Sequence, residues 1–239
     1  MPFSSKRAHA REMMDDPDCD PAMLKEALGE IATLNTFLGA HSIYKHRFLP
    51  LVESAQGRAT ILDVGTGIGD IPVKIIQWSS ARGIPVPSVT ATDLRNDVLD
   101  TARQYAARHL SPEYLESLSF QEADLIKLPF ADDAFDFVIA GQVLHHFPTD
   151  KIPTILREMD RVARVGFFVE DLHRHRIAYN SIHILSRLFG MSKMVQHDGP
   201  LSVNSGFTRR EIADCLKKAG IESYRLQWHV TFRWSISNV

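Results

Sequence analysis

The chain has 239 residues, 44% hydrophobic and 23% charged, with a formal net charge of -2. That length fits one α/β domain with accessory elements and is enough to bury a core without disulfides or structural metal. The near-neutral balance argues against nucleic acid as the main partner, because phosphate binding leaves a basic surplus. Small-molecule or protein substrates fit better. Two cysteines, Cys19 and Cys215, stand far apart in no ligand spacing and read as free thiols. The opening MPFSSKRAHARE has no apolar run, and no stretch reaches the roughly 18–20 apolar residues of a membrane span. The expectation is a cytoplasmic monomer or homodimer without stable membrane insertion.

Residues 1–19 are polar and unperiodic, and predict a flexible or loosely docked N-terminus. Asp20-Pro21 reads as an N-cap with proline at the first helical position. Met23, Leu24, Ala27, Leu28, Ile31, Leu34, Phe37 and Leu38 then recur at helical spacing, and a second short helix is predicted over Ser42–Ser54. Residues 20–56 would form a helical lid over the 57–239 core. Ala59–Val64, Ser88–Thr92, Leu118–Glu122, Phe135–Ala140 and Val165–Val169 read as strands. They alternate with helices running to about Ala81 and over Asn96–His109 and Thr149–Val162, which indicates a parallel sheet with crossovers. After the fifth strand, 174–206 reads as an insertion: a helix over Ile177–Phe189, then a loop containing Gly, Pro and Ser. Thr208 and Glu211 form a capping box for a helix ending at Ala219-Gly220, and Ile221–Gln227 and His229–Ile236 read as two closing strands.

The strongest chemical signal is Ile61-Leu-Asp-Val-Gly-Thr-Gly-Ile-Gly-Asp70, a strand ending in a glycine turn that leads into a helix. Glycines permit the turn and let a ligand lie on bare backbone, and the helix start offers free N–H groups. The dinucleotide fingerprint would place its last glycine at position 70, where this chain has Asp, so an NAD-dependent reductase is disfavoured. Asp93 ends the second strand and can accept hydrogen bonds from ribose hydroxyls. Asp124 ends the third, in position to meet an adenine. Each alone reads as an ordinary cap or turn residue. Three at successive carboxyl ends mark the edge where open α/β sheets bind ligands.

ILDVGTGIGD, TATDLR, EADLIKLPF and FDFVIAGQVLHHF together resemble the class I S-adenosylmethionine-dependent methyltransferases, over roughly residues 42–235. The resemblance implies a Rossmann-like seven-stranded sheet of order 3-2-1-4-5-7-6 with the last strand antiparallel. It also implies S-adenosylmethionine as cofactor and S-adenosylhomocysteine as product. Asp63, Gly65, Thr66 and Gly67 would back the methionine part, Asp93 and Leu94 the ribose, Asp124 and Leu125 the adenine, and Gln142 would lie beside the methionine. The early strands are similar to quinone-biosynthesis C-methyltransferases. DLHRHRIAY and HDGPLSV are similar to bacterial methyltransferases associated with polyketide synthases. Both imply an aromatic or polyketide-like acceptor, methylated on oxygen or carbon. A non-catalytic S-adenosylmethionine-binding partner subunit is the alternative.

Eleven histidines include His145-His146 after strand four and His173 and His175 after strand five. An imidazole there can deprotonate a phenol or enol; as a packing or capping residue it would be ordinary. Asp171 with His173 is the expected acid–base or orienting pair, His146 the next candidate. Glu170 with His173 and His175 matches no strong metal-ligand spacing, so no metal is expected.

Overall fold

A computed structural model describes residues 2–8, 11–16, 18–55 and 57–239; positions 1, 9, 10, 17 and 56 of the predicted N-terminus and lid lie outside the described residues. The elements in chain order begin with a 3-10 turn at Met13–Asp15, α1 (Pro21–Phe37), α2 (Ala40–Ile43), a π-helical turn (Tyr44–Phe48) and α3 (Leu49–Ser54). The core continues with β1 (Thr60–Val64), α4 (Asp70–Arg82), β2 (Ser88–Asp93), α5 (Asn96–His109), α6 (Pro112–Leu115), β3 (Leu118–Glu122) and β4 (Phe135–Gly141). A 3-10 turn at Leu144–His146, α7 (Ile152–Val162), β5 (Ala163–Leu172), α8 (Arg176–Leu188), α9 (Lys193–Ser205), α10 (Arg209–Ala219), β6 (Arg225–His229) and β7 (Arg233–Ser237) complete it.

The sheet order is β3-β2-β1-β4-β5-β7-β6, as the family resemblance implies. β1 pairs in parallel with β2 and β4, and β7 runs antiparallel to both β5 and β6. β4 is buried along nearly its whole length because helices cover both faces of the sheet. One apolar cluster gathers Leu62, Val138, Leu156, Phe167 and Leu216 under α7 and α10. A second gathers Ile61, Phe48, Ile75, Ile139 and Phe168 under α3 and α4. The strand order reverses between β1 and β4, and a ligand crevice is expected at their carboxyl ends.

Capping chemistry sets the helix starts. Asp20 accepts the N–H groups of Ala22 and Met23, and Thr208 and Glu211 complete the capping box of α10. The insertion departs from expectation at 193–205, where the sequence predicts a loop and the structure has α9. Ser192 caps it through the Val195 N–H, and Pro200 sits inside it. A single proline removes one helical hydrogen bond, which packing offsets here: Met194, Val195, Leu201 and Val203 are all buried.

The N-terminal residues lie on the body of the protein. The Arg7 guanidinium donates to the carbonyls of Ser205, Leu144 and His145 and to Thr149, and it stacks over Phe207. The Met13 and Met14 N–H groups both donate to the Asp198 carboxylate, at 2.9 and 3.1 Å. Arg95 donates to the carbonyls of Met14 and Asp16. A polar, unperiodic segment is held by its backbone, which is why hydrophobic periodicity did not reveal it.

Candidate active site

A cavity of about 970 Å³ occupies the carboxyl edge of the sheet. Its first wall is the glycine turn. Gly65 and Gly67 hold φ of +69° and +54°, in the left-handed region. A Cβ on Gly65 would lie 2.4 Å from Val143 Cγ2, whereas one on Gly67 would meet only Leu28, at 3.9 Å. Gly65 therefore lets the loop after β4 approach, and Gly67 presents bare backbone to the cavity. Asp93 accepts the N–H groups of Gly67 (3.2 Å) and Arg95 (3.1 Å), which aims its carboxylate along the turn. Burial raises the proton affinity of Asp93 and pushes Asp63 up to about 7, with the charges of Asp70 and Asp93 adding to the latter.

Asp63, Gly65, Thr66, Gly67, Asp93, Leu94, Leu125 and Gln142 all line the cavity. Asp124 is not among the lining residues: its carboxylate accepts the Ile126 N–H at 2.9 Å and shapes the turn that presents Leu125. Gln142 sits at a positive φ of 52° and donates its side-chain N–H to Asn35, tying β4 to α1. The bare backbone at Gly67 and the acceptor carboxylate of Asp93 fit an adenosine-bearing cofactor with a flexible amino-acid tail.

The second wall carries the titratable groups. Asp171 and His173 do not form the expected pair. Asp171 lies on the side of β5 that faces the loop after β4. There it accepts His145 Nδ1–H at 2.8 Å and the N–H groups of Leu144, His145 and Leu172. Burial disfavours its charge, but His145, the N–H of Leu172 and Arg7 outweigh it and hold Asp171 below the usual carboxylate range. His173 is absent from the cavity lining. It accepts the Trp228 indole N–H at 3.0 Å within a cluster of His175, Phe232 and Trp234. Burial, with His175 and Arg174 nearby, lowers its proton affinity. This is the packing role.

His145 and His146 line the cavity together with Glu12 and Asp15 from the N-terminal segment. Glu12 is buried, and its two carboxylate oxygens lie 3.9 Å from His145 Nε2 and from His146 Nδ1. Ser202 donates to the same carboxylate at 2.8 Å. Burial raises the proton affinity of Glu12 despite both imidazoles. His146 Nδ1 lies 3.1 Å from Asp15, and burial there is outweighed by Glu12 and Asp15, so its pKa rises to about 9. Glu12, His145 and His146 also offer ligand atoms within 4.8 Å of one another, the one set among the described residues close enough to hold a metal ion. Sequence reading missed Glu12 and Asp15. The signal available was the acidic pair three residues apart in Glu12-Met-Met-Asp15, which has no meaning until the segment is seen to dock.

Comparison with known proteins agrees with this geometry. A methyltransferase-domain family model matches residues 61–166. The demethylmenaquinone methyltransferase of Porphyromonas gingivalis is 27% identical over 220 residues, 85% of either chain. The 2-phytyl-1,4-naphthoquinone methyltransferase of Nostoc punctiforme is 27% identical over 152 residues, covering 64% of this chain and 62% of that one. Human N-acetylserotonin methyltransferase in complex with S-adenosylmethionine superposes with a TM-score of 0.58 at 18% identity, covering 91% of this chain and 56% of that one. The strand order, the glycine turn and the family match over residues 61–166 agree on an S-adenosylmethionine-dependent methyltransferase domain, and the chain is similar to the class I enzymes built on it.

Proposed function

We propose that this enzyme methylates a small, largely apolar acceptor bearing an ionisable oxygen, such as a phenol, quinol or polyketide-like enol, on that oxygen or on the carbon it activates. The observation that carries the reading is the buried Asp171–His145 pair facing a cavity that Glu12 and His146 share. With Nδ1–H donated to Asp171, the ring atom left for proton exchange on His145 is Nε2, on the Glu12 side. His146, held as a cation by Glu12 and Asp15, favours a developing oxyanion beside it. Adjacent imidazoles with different carboxylate partners thus divide the work: one accepts the proton and its neighbour steadies the charge left behind.

When bound, S-adenosylmethionine supplies a methyl group on a sulfonium, already a good electrophile. The protein has to hold the cofactor, align the acceptor and exclude water. Asp93 would accept the ribose hydroxyls, Leu94 and Leu125 would flank the base, and Asp63, Thr66 and Gln142 would orient the methionine part along the bare backbone of Gly65 and Gly67. Asp124 serves indirectly, through the turn it caps. The remaining lining, with Leu28, Ile31, Leu34, Phe147, Leu172, Ile182 and Leu185, suits an apolar acceptor body. Two relatives are named for quinone acceptors, in line with this reading.

The test is a panel of naphthols, quinols and alkylresorcinols with and without apolar tails, read by mass spectrometry for one added methyl group. Turnover of a ring acceptor, with loss of product in His145→Gln, is expected. Turnover confined to small hydrophilic amines or carboxylates would overturn the reading.

A further inference from the structure

The cavity reaches the surface between the end of α1, α8 and the β6–β7 turn, where Ser181 and Val230 both line it and are exposed. The link between α1 and α2 reaches this turn: a Cβ on Gly39 would meet Thr231 at 3.4 Å. Around the opening stand large apolar side chains with no cover. Phe37 is 81% exposed, Val230 80%, Leu188 73% and Phe189 69%. On α8, Ile177, Ile184 and Leu188 are spaced by seven and four residues and fall within about 40° of one another around the helix axis. The other side of α8 packs inward through Tyr179, Ile182 and Ser186. The helix is apolar on its outer face as well as its inner one, more than a lone surface helix requires.

Charge is distributed just as unevenly. The chain holds 29 Asp and Glu, yet the three segments that contribute residues to the opening, 31–52, 172–197 and 223–239, contain none. Their exposed cations include Arg176 and Arg187 at either end of α8, Lys193 beyond it, and Arg47, whose charge acts on His229. Arg174 and Arg233 are buried and paired with Glu211 and Glu170. The nearby Glu30 carboxylate is taken up by Ser192. A chain with a slight negative balance thus presents one face that is apolar and basic, with Glu30 beside it held by Ser192.

We propose that this face docks on an anionic lipid bilayer. Phe37, Ile184, Leu188, Phe189 and Val230 enter the boundary between headgroups and acyl chains, while Arg176, Arg187 and Lys193 meet lipid phosphates. An amphiphilic acceptor then passes from the bilayer through the opening into the cavity without crossing water. Two-fold pairing with a second copy would set this basic rim against itself, which the charge pattern disfavours. What is delivered rests on the apolar-acceptor reading above; the docking rests on the rim alone.

Vesicle flotation tests it, with phosphatidylcholine vesicles compared against vesicles carrying about 30 mol% phosphatidylglycerol. Wild type is expected to bind the anionic vesicles at least about tenfold more tightly and to release as salt rises. Phe37→Glu combined with Leu188→Glu should lower that binding about tenfold or more while turnover of a short, water-soluble acceptor without vesicles stays within about twofold. Failure to bind either vesicle, binding unchanged in the double variant, or a stable dimer dissolved by the same substitutions would each overturn the proposal. Vesicle binding without turnover of any apolar acceptor would instead strike the acceptor reading and leave the docking face in place.

Discussion

Asp63–Gly67, Asp93 and Leu125 form one wall of the cavity; Glu12, His145, His146 and Asp198 form the other, with Asp171 buried behind His145. The first wall comes from successive strand ends and works largely through backbone: positive φ at glycines and N–H groups aimed at Asp93. The second is assembled from residues as far apart as Met13 and Asp198, 185 positions along the chain, and works through charged and hydrogen-bonded side chains. A wall of the first kind tolerates little change in backbone shape and much change in nearby side chains. A wall of the second kind is the reverse, because a single carboxylate lost there leaves its buried partners unsatisfied.

The largest effect is expected from Gly65→Ala, which should break both walls at once. It adds a methyl group at a positive φ and against Val143, costing about 2–4 kcal/mol. Thermal denaturation should show a lowered Tm, and calorimetry a loss of S-adenosylmethionine binding. A variant as stable and as tight-binding as wild type would mean that the loop after β4 is not set by this contact. Next, Asp171→Asn should lower kcat about 100-fold with cofactor affinity little changed, because the tautomer of His145 is no longer fixed. Equal losses in cofactor binding and turnover would show that the two walls are not separable. Asp93→Ala should do the opposite, weakening cofactor binding at least about tenfold; near-normal affinity would remove the ribose assignment.

Smaller is the pH effect at His146. Its pKa in the fold is about 9, above the usual 6.5, so its stabilising contribution is complete below about 6.5 and is lost as pH rises through 9. Between pH 7 and 10 the Tm of wild type should fall more steeply than that of His146→Gln; parallel curves would mean that Glu12 and Asp15 do not hold the charge. His173→Ala is the smallest, with turnover expected within about twofold of wild type, since the residue packs against Trp228 outside the cavity. A large loss there would return His173 to the chemistry.

The first wall was legible in the sequence because each part is local. A strand, a glycine turn and an acidic residue at the next strand end can be read within a few residues, and the strand order came with the family resemblance that those motifs carry. Asp171 was expected beside His173, and the structure pairs it with a different histidine. Sequence adjacency favoured His173, whereas the return of the chain after β4 brings His145 to 2.8 Å. Glu12 was invisible because its segment docks through backbone hydrogen bonds to Asp198, which leave no periodic trace. α9 was missed because Pro200 and Gly199 read as loop residues, while its buried apolar face was hidden among them.

The Gly65–Val143 contact also bears on how such chains can vary. A glycine in a ligand-binding turn is ordinarily read as room made for the ligand, yet here the missing side chain makes room for the protein's own loop. Val143 immediately precedes Leu144, His145 and His146, so the depth to which it seats against the turn acts as a mechanical stop for both imidazoles. A bulkier residue at 143 would lift the whole loop, and a smaller one would let it sink. Positions 65 and 143 are therefore one joint, and substitutions that preserve activity at either should be those that keep its thickness.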